Sequence, residues 1–129
     1  TPRTILHDWY IEDAELQDYF RSADFFVAPF SEVLTSGSIL LSLSFSVPVI
    51  APRIAYVCDC VSDGESGFLY GEPVHPNLES GIRRALGLTP DVKAEMERNA
   101  YSSALSHQWS VTNRMLSRYL NELAQLSVN

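Results

Sequence analysis

Pro29-Phe-Ser-Glu-Val-Leu-Thr-Ser-Gly-Ser-Ile-Leu-Leu-Ser-Leu-Ser-Phe-Ser-Val-Pro-Val-Ile-Ala-Pro52 carries the chain from the end of one buried segment to the end of the next. Its first residues close the apolar run Asp24-Phe-Phe-Val-Ala28, which has the length and bounds of a strand covered on both faces. Thr35, Ser36 and Ser38 then surround Gly37 where an apolar helix begins at Ile39 and runs to Phe45. The first turn of a helix has amides without intrahelical partners and the positive end of the helix dipole, so such a junction suits an anion. It is equally the composition of an ordinary capped helix start. Val47-Pro-Val-Ile-Ala51 returns as a second buried strand, with proline tolerated at its beginning.

Working outward, Asp13 is placed to cap a helix whose Leu16, Tyr19, Phe20 and Ala23 recur on one stripe. Before it, Thr4-Ile-Leu6 has a short β-like character. After Pro52 the chain leaves through Arg53 and makes a short turn or helix over residues 57–61. The cluster Ser62-Asp-Gly-Glu-Ser-Gly67 is a turn, and Phe68-Leu-Tyr70 a third strand. Pro76 is placed in the first turn of a helix with stripe Leu78, Ile82, Ala85 and Leu86 that stops at Gly87. Thr89-Pro90 starts the next, which presents Val92, Met96, Ala100 and Ala104. Ser110 caps a last helix with apolar face Met115, Leu116, Tyr119, Leu120, Leu123 and Ala124, read as core or as a strut across a domain pair. Strands alternating with helices predict an α/β class, a Rossmann-like and mainly parallel sheet flanked by helices.

Composition narrows the function classes. The 129 residues make about one domain, 46% hydrophobic and 19% charged, as in folded proteins and unlike disordered ones. Net charge is -7, and the arginines and lysines cluster only at Arg83-Arg84. Binding to nucleic acid or to an anionic membrane needs a basic footprint, so neither partner is expected. No apolar run is long enough to cross a bilayer, and the expected location is the cytoplasm. Cys58 and Cys60 lack the further ligands a tetrahedral metal site requires and read as idle thiols. His7, His75 and His107 are scattered, with His7 near a predicted strand end.

With these residues laid out, the chain resembles the second half of the C-terminal, nucleotide-sugar-binding domain of GT-B glycosyltransferases, in the large retaining group called family four. Ala23-Asp-Phe-Phe-Val-Ala-Pro29 matches that family's Ala-Asp-apolar-Pro strand, and Pro48-Val-Ile50 its Pro-Val-Ile strand. Asp63-Gly-Glu-Ser-Gly-Phe-Leu69 matches its Asp-Gly-Glu-Thr-Gly-Phe-Leu turn and strand. Trp109-Ser110 and Tyr119 match the final helix. The resemblance implies a partial GT-B domain without its first strands or its acceptor-binding domain, the fragment being inactive by itself. It implies a nucleotide-diphosphate-sugar donor, no metal and no other cofactor, and an unknown acceptor.

The same resemblance assigns the site. Leu34, Thr35, Ser36, Gly37 and Ser38 would cradle the donor diphosphate, joined by Arg53 at the carboxyl end of a strand. Glu32 would be the catalytic near-donor carboxylate, with a solvated loop acid as the alternative. Two glutamates seven residues apart are usual in the family, but Val33 and Leu41 occupy their places, and Ser46 stands where a small glycine usually does. These absences keep open a second function class, a non-catalytic Rossmann-like module that binds nucleotide or a partner chain. A sheet edge left bare by the missing strands is expected to pair, giving a possible homodimer.

Overall fold

The computed structural model describes residues 3–31, 37–71, 73 and 75–126, with the side chains of residues 109–111 left aside. Nine elements follow one another: α1 (Asp13–Ser22), β1 (Phe26–Val27), α2 (Gly37–Ser44), β2 (Val49–Pro52), α3 (Ala55–Cys60), β3 (Gly67–Tyr70), α4 (Leu78–Leu86), α5 (Pro90–Ser106) and α6 (Trp109–Leu126). The three strands form one parallel sheet in the order β1-β2-β3. The α/β, Rossmann-like reading of the sequence therefore holds.

Strand alternation divides the core in two. Val49 and Ala51 of β2 join Ala28, Leu69, Ile39, Leu43, Val57 and Ala100 on the face covered by α2, α3 and α5. Ile50 and Phe68 point the other way, with Phe25, Tyr70, Leu78 and Ala85, under α4. Period-two side chains with both faces covered give the continuous apolar runs seen in the sequence. Met96 of α5 reaches the second cluster while Ala100 and Ala104 reach the first, so α5 closes both.

Helix ends follow local chemistry. The Asn77 side chain accepts from the Ser80 amide at 3.0 Å and Thr89 accepts from the Val92 amide at 3.4 Å, with Pro90 in the first turn of α5. At α1 the capping position is Glu12 and makes no side-chain bond, while Asp13 lies inside the first turn, one place later than the sequence suggests. An acid there still favours the helix dipole.

Two expectations are corrected. Residues 4–6 form no strand. A strand exists only through a ladder with a neighbour, and Ile5 and Leu6 are exposed and pair with no strand among the described residues. The apolar face of α6 is not core: Met115, Leu116, Tyr119, Leu120 and Leu123 are all exposed. The chain turns at His107 and Gln108 into α6, and Ser106 and His107 at the end of α5 share an open groove with Met115, Leu116 and Tyr119.

The turn between α2 and β2 carries one strained residue. Ser46 has φ 62°, the left-handed region that a Cβ disfavours. The buried hydroxyl of Ser42, donating to the Val47 carbonyl at 2.9 Å, and the Ser46 amide, donating to Leu43 at 2.9 Å, hold the turn in place. Ser46→Gly is expected to stabilise the fold by about 0.5–1 kcal/mol, read as a higher urea midpoint with an unchanged slope.

Candidate functional site

In a parallel sheet every strand ends at the same rim, and each crossover helix starts there. The amino end of α2, Gly37 and Ser38, therefore opens at the carboxyl rim reached by β1 and β2, where open α/β sheets gather ligands. Gly37 is exposed, and a side-chain methyl built on it would meet nothing within 4 Å. Backbone amides can be approached closely at such a position. Glu32, Leu34, Thr35 and Ser36 lie outside the described residues.

Arg53 leaves β2 at this rim. Its amide donates to the Tyr70 carbonyl at 2.7 Å, fixing its backbone beside the end of β3. Its guanidinium Nη2 donates to Asp63 Oδ2 at 2.7 Å, and the side chain remains 38% exposed. The ends of β2 and α2 thus put the backbones of Gly37, Ser38 and Arg53 at the carboxyl rim, while the Arg53 side chain is paired with Asp63 beside β3.

Asp63 is the centre of this arrangement. Its Oδ1 accepts from the Leu69 amide at 3.0 Å and from Arg84 Nη1 at 2.7 Å, while Oδ2 takes Arg53. The Arg84 guanidinium also lies over the Phe68 ring, 4.4 Å from its centroid, a cation–π contact. Burial pushes the Asp63 carboxyl up, but the Leu69 amide and the guanidiniums of Arg84 and Arg53 outweigh it and hold the group below the ordinary aspartate range. Together Asp63 and Arg84 also occupy the free edge of β3, a sheet edge that would otherwise present bare backbone.

Sequence reasoning places Asp63 in a turn and Arg84 in a basic pair on α4, with no link between them. The available signal is a single Asp-Gly turn ahead of a strand together with an isolated arginine cluster; their pairing spans 21 residues and depends on how α4 crosses β3.

The other titratable candidates lead elsewhere. Cys58 and Cys60 are free thiols; burial pushes Cys60 up, with only partial relief from a hydrogen bond to Tyr56, so it is a poor nucleophile. His7 makes edge contacts with the rings of Trp9 and Tyr19, at 4.6 and 5.4 Å between centroids.

Residues 1–87 match the family described as glycosyl transferases group 1. The chain belongs to the group 1 glycosyl transferases. The matched span covers the three strands, the α2 junction, Arg53, Asp63 and Arg84, so the whole rim just described falls within it. One similar relative is Glycogen synthase 1 of Bradyrhizobium diazoefficiens, 27% identical over 114 residues, which is 87% of this chain and 24% of the relative. The chain thus spans about a quarter of the length of that relative. Among the described residues, no helix of this group 1 chain is long and apolar enough to cross a membrane.

Proposed function

We propose that the chain is the donor-binding part of a glycosyltransferase and holds the diphosphate of a nucleotide-sugar at the carboxyl rim of its sheet. One observation carries the reading: the amino end of α2, with Gly37 exposed, opens at the carboxyl rim of the sheet, where the helix dipole suits a diphosphate. Family membership supplies the reaction class.

In that reaction the bond between the anomeric carbon and the diphosphate oxygen breaks, and its electron pair departs with the nucleoside diphosphate. An acceptor hydroxyl oxygen forms the new bond to carbon and releases its proton. Amides at the start of α2 stabilise the charge that grows on the leaving oxygens, a kind of electrostatic help worth about a hundredfold or more per donor group. That chemistry uses no metal. Glu32 is the proposed acid near the sugar, and Leu34, Thr35 and Ser36 complete the cradle. Acceptor binding, and with it turnover, requires surface beyond this chain.

The proposal is tested by titrating UDP, GDP and ADP against the protein and following its melting temperature. A ligand that binds only the folded state adds about 2.7 kcal/mol at a hundred times its dissociation constant, so one of the three is expected to raise the melting point by several degrees. Absence of any shift with all three, at concentrations far above the millimolar range, overturns it. The non-catalytic module is favoured by the missing glutamate pair: Val33 and Leu41 stand in those places, and neither can bind a sugar or a ribose as an acid would. Binding without transfer in a longer polypeptide that includes an acceptor domain is its signature.

A further inference from the structure

Every described side chain of α6 from residue 112 to residue 126 is exposed, and six of them are large and apolar. Met115, Leu116, Tyr119, Leu120, Leu123 and Leu126 recur three and four residues apart and are 45% to 74% exposed, so they make one stripe along about 17 Å of helix. A helix of 18 residues gains most of its stability from covering such a face and is marginal without a cover. The exposed parts of these side chains amount to several hundred Å² per copy, which approaches the ~800 Å² that a standard interface buries on each partner.

The margin of the stripe selects the partner. Arg118 and Glu122 stand one turn apart on one side of it, 3.3 Å from Nε to Oε1, with side chains 83% and 59% exposed, and both line the groove with Met115, Leu116 and Tyr119. Turning a second α6 antiparallel about a two-fold axis near residue 120 lays the two stripes together. Arg118 of each copy then comes opposite Glu122 of the other. In a parallel pair the same margin would meet the far side of the stripe, where Asn113, Ser117 and Ala124 carry no charge. Antiparallel pairing also sets the two α5–α6 junctions at opposite ends of the pair, about 27 Å apart, which separates two chains that each carry -7.

We propose that α6 is a dimerisation helix: two copies of this chain pair through the apolar stripes of antiparallel α6 helices, and Arg118 of each binds Glu122 of the other. The interface is isologous, so each contact occurs twice. It uses a surface other than the bare sheet edge and does not depend on the donor-binding reading.

Sedimentation equilibrium of the full chain is expected to show a species of twice the chain mass dominating at about 100 μM. Leu120→Glu and Leu123→Glu put a charge into the seam and are each expected to raise the dissociation constant about a hundredfold or more. Arg118→Glu and Glu122→Arg each set like charges across the interface twice, and each homodimer is expected to weaken about tenfold. Mixed in equal amounts, these two charge variants are expected to recover wild-type affinity as a heterodimer, which native mass spectrometry resolves by mass. No effect within one chain reproduces that recovery, since neither helix changes on mixing.

A wild-type chain that stays monomeric at that concentration overturns the proposal and leaves the stripe to a different occupant. A dimer that survives both leucine variants also overturns it, and its interface is then elsewhere, with the bare sheet edge the first place to look. Charge variants that dimerise as tightly as wild type, or a mixture that recovers nothing, overturn it as well. Should a leucine variant lose the circular dichroism of the folded body, the charge variants decide, both positions being on the surface.

Discussion

Gly67→Ala is expected to lower the unfolding free energy by at least about 3 kcal/mol, a large share of the margin of a domain this size. Gly67 is the first residue of β3, opposite Val49 in the parallel register. A methyl built on it would overlap the Val49 carbonyl oxygen and come within 2.9 Å of the Val49 amide and of Val61 Cγ1. Two of those three atoms belong to the backbone of the central strand, which has no rotamer to escape into. Relief requires β3 to move away from β2, breaking the pairing of Val49, Ile50, Ala51 and Pro52 with residues 67–70. The measurement is a urea midpoint. Gly37→Ala is the control: an added methyl there meets nothing within 4 Å, so its midpoint should stay or rise slightly.

That glycine also shows what the chain discloses before it folds. The apolar runs at 24–28, 47–51 and 68–70 disclose three buried strands, because strands covered on both faces need no polar alternation. Thr89-Pro90 and Gly87 disclose helix ends, because their effects are local. Gly67 reads only as the end of a turn, and its close approach to Val49 appears when β3 lies beside β2. Ser46 is similar: the sequence shows a serine where glycine is usual, and the fold supplies the positive φ that explains the preference. Residues 4–6 as a strand and the apolar face of α6 as core are misread for a common reason. Hydrophobicity states that a segment has something to bury, and tertiary partners decide where.

The candidate site divides along the same line. Gly37, Ser38 and Arg53 are legible because a parallel βαβ unit always sends its helix starts and strand ends to one rim. What Arg53 pairs with is not, since Asp63 lies 10 residues on and Arg84 a further 21. An expectation of an arginine open to phosphate becomes, in the structure, an arginine already paired with a carboxylate.

Asp63→Leu should be the second largest loss, about 2–4 kcal/mol. The substitution leaves the Leu69 amide without its acceptor and sets two guanidiniums near each other with no anion between them. It also opens the edge of β3. The acid limb of the stability curve gives an independent check. The folded-state carboxyl is held below the ordinary aspartate value by the Leu69 amide, Arg84 and Arg53, against the upward push of burial. A depressed carboxylate contributes stability in full above its unfolded value, about 3.9, and that contribution is lost as pH falls through the folded value. The difference in stability between wild type and Asp63→Asn is therefore expected to be constant from neutral pH down to about 5 and to shrink below about 4. A difference that stayed the same through the acid range would mean that the charge on Asp63 does not hold the cluster, and that its part in the fold is the shape of the turn alone.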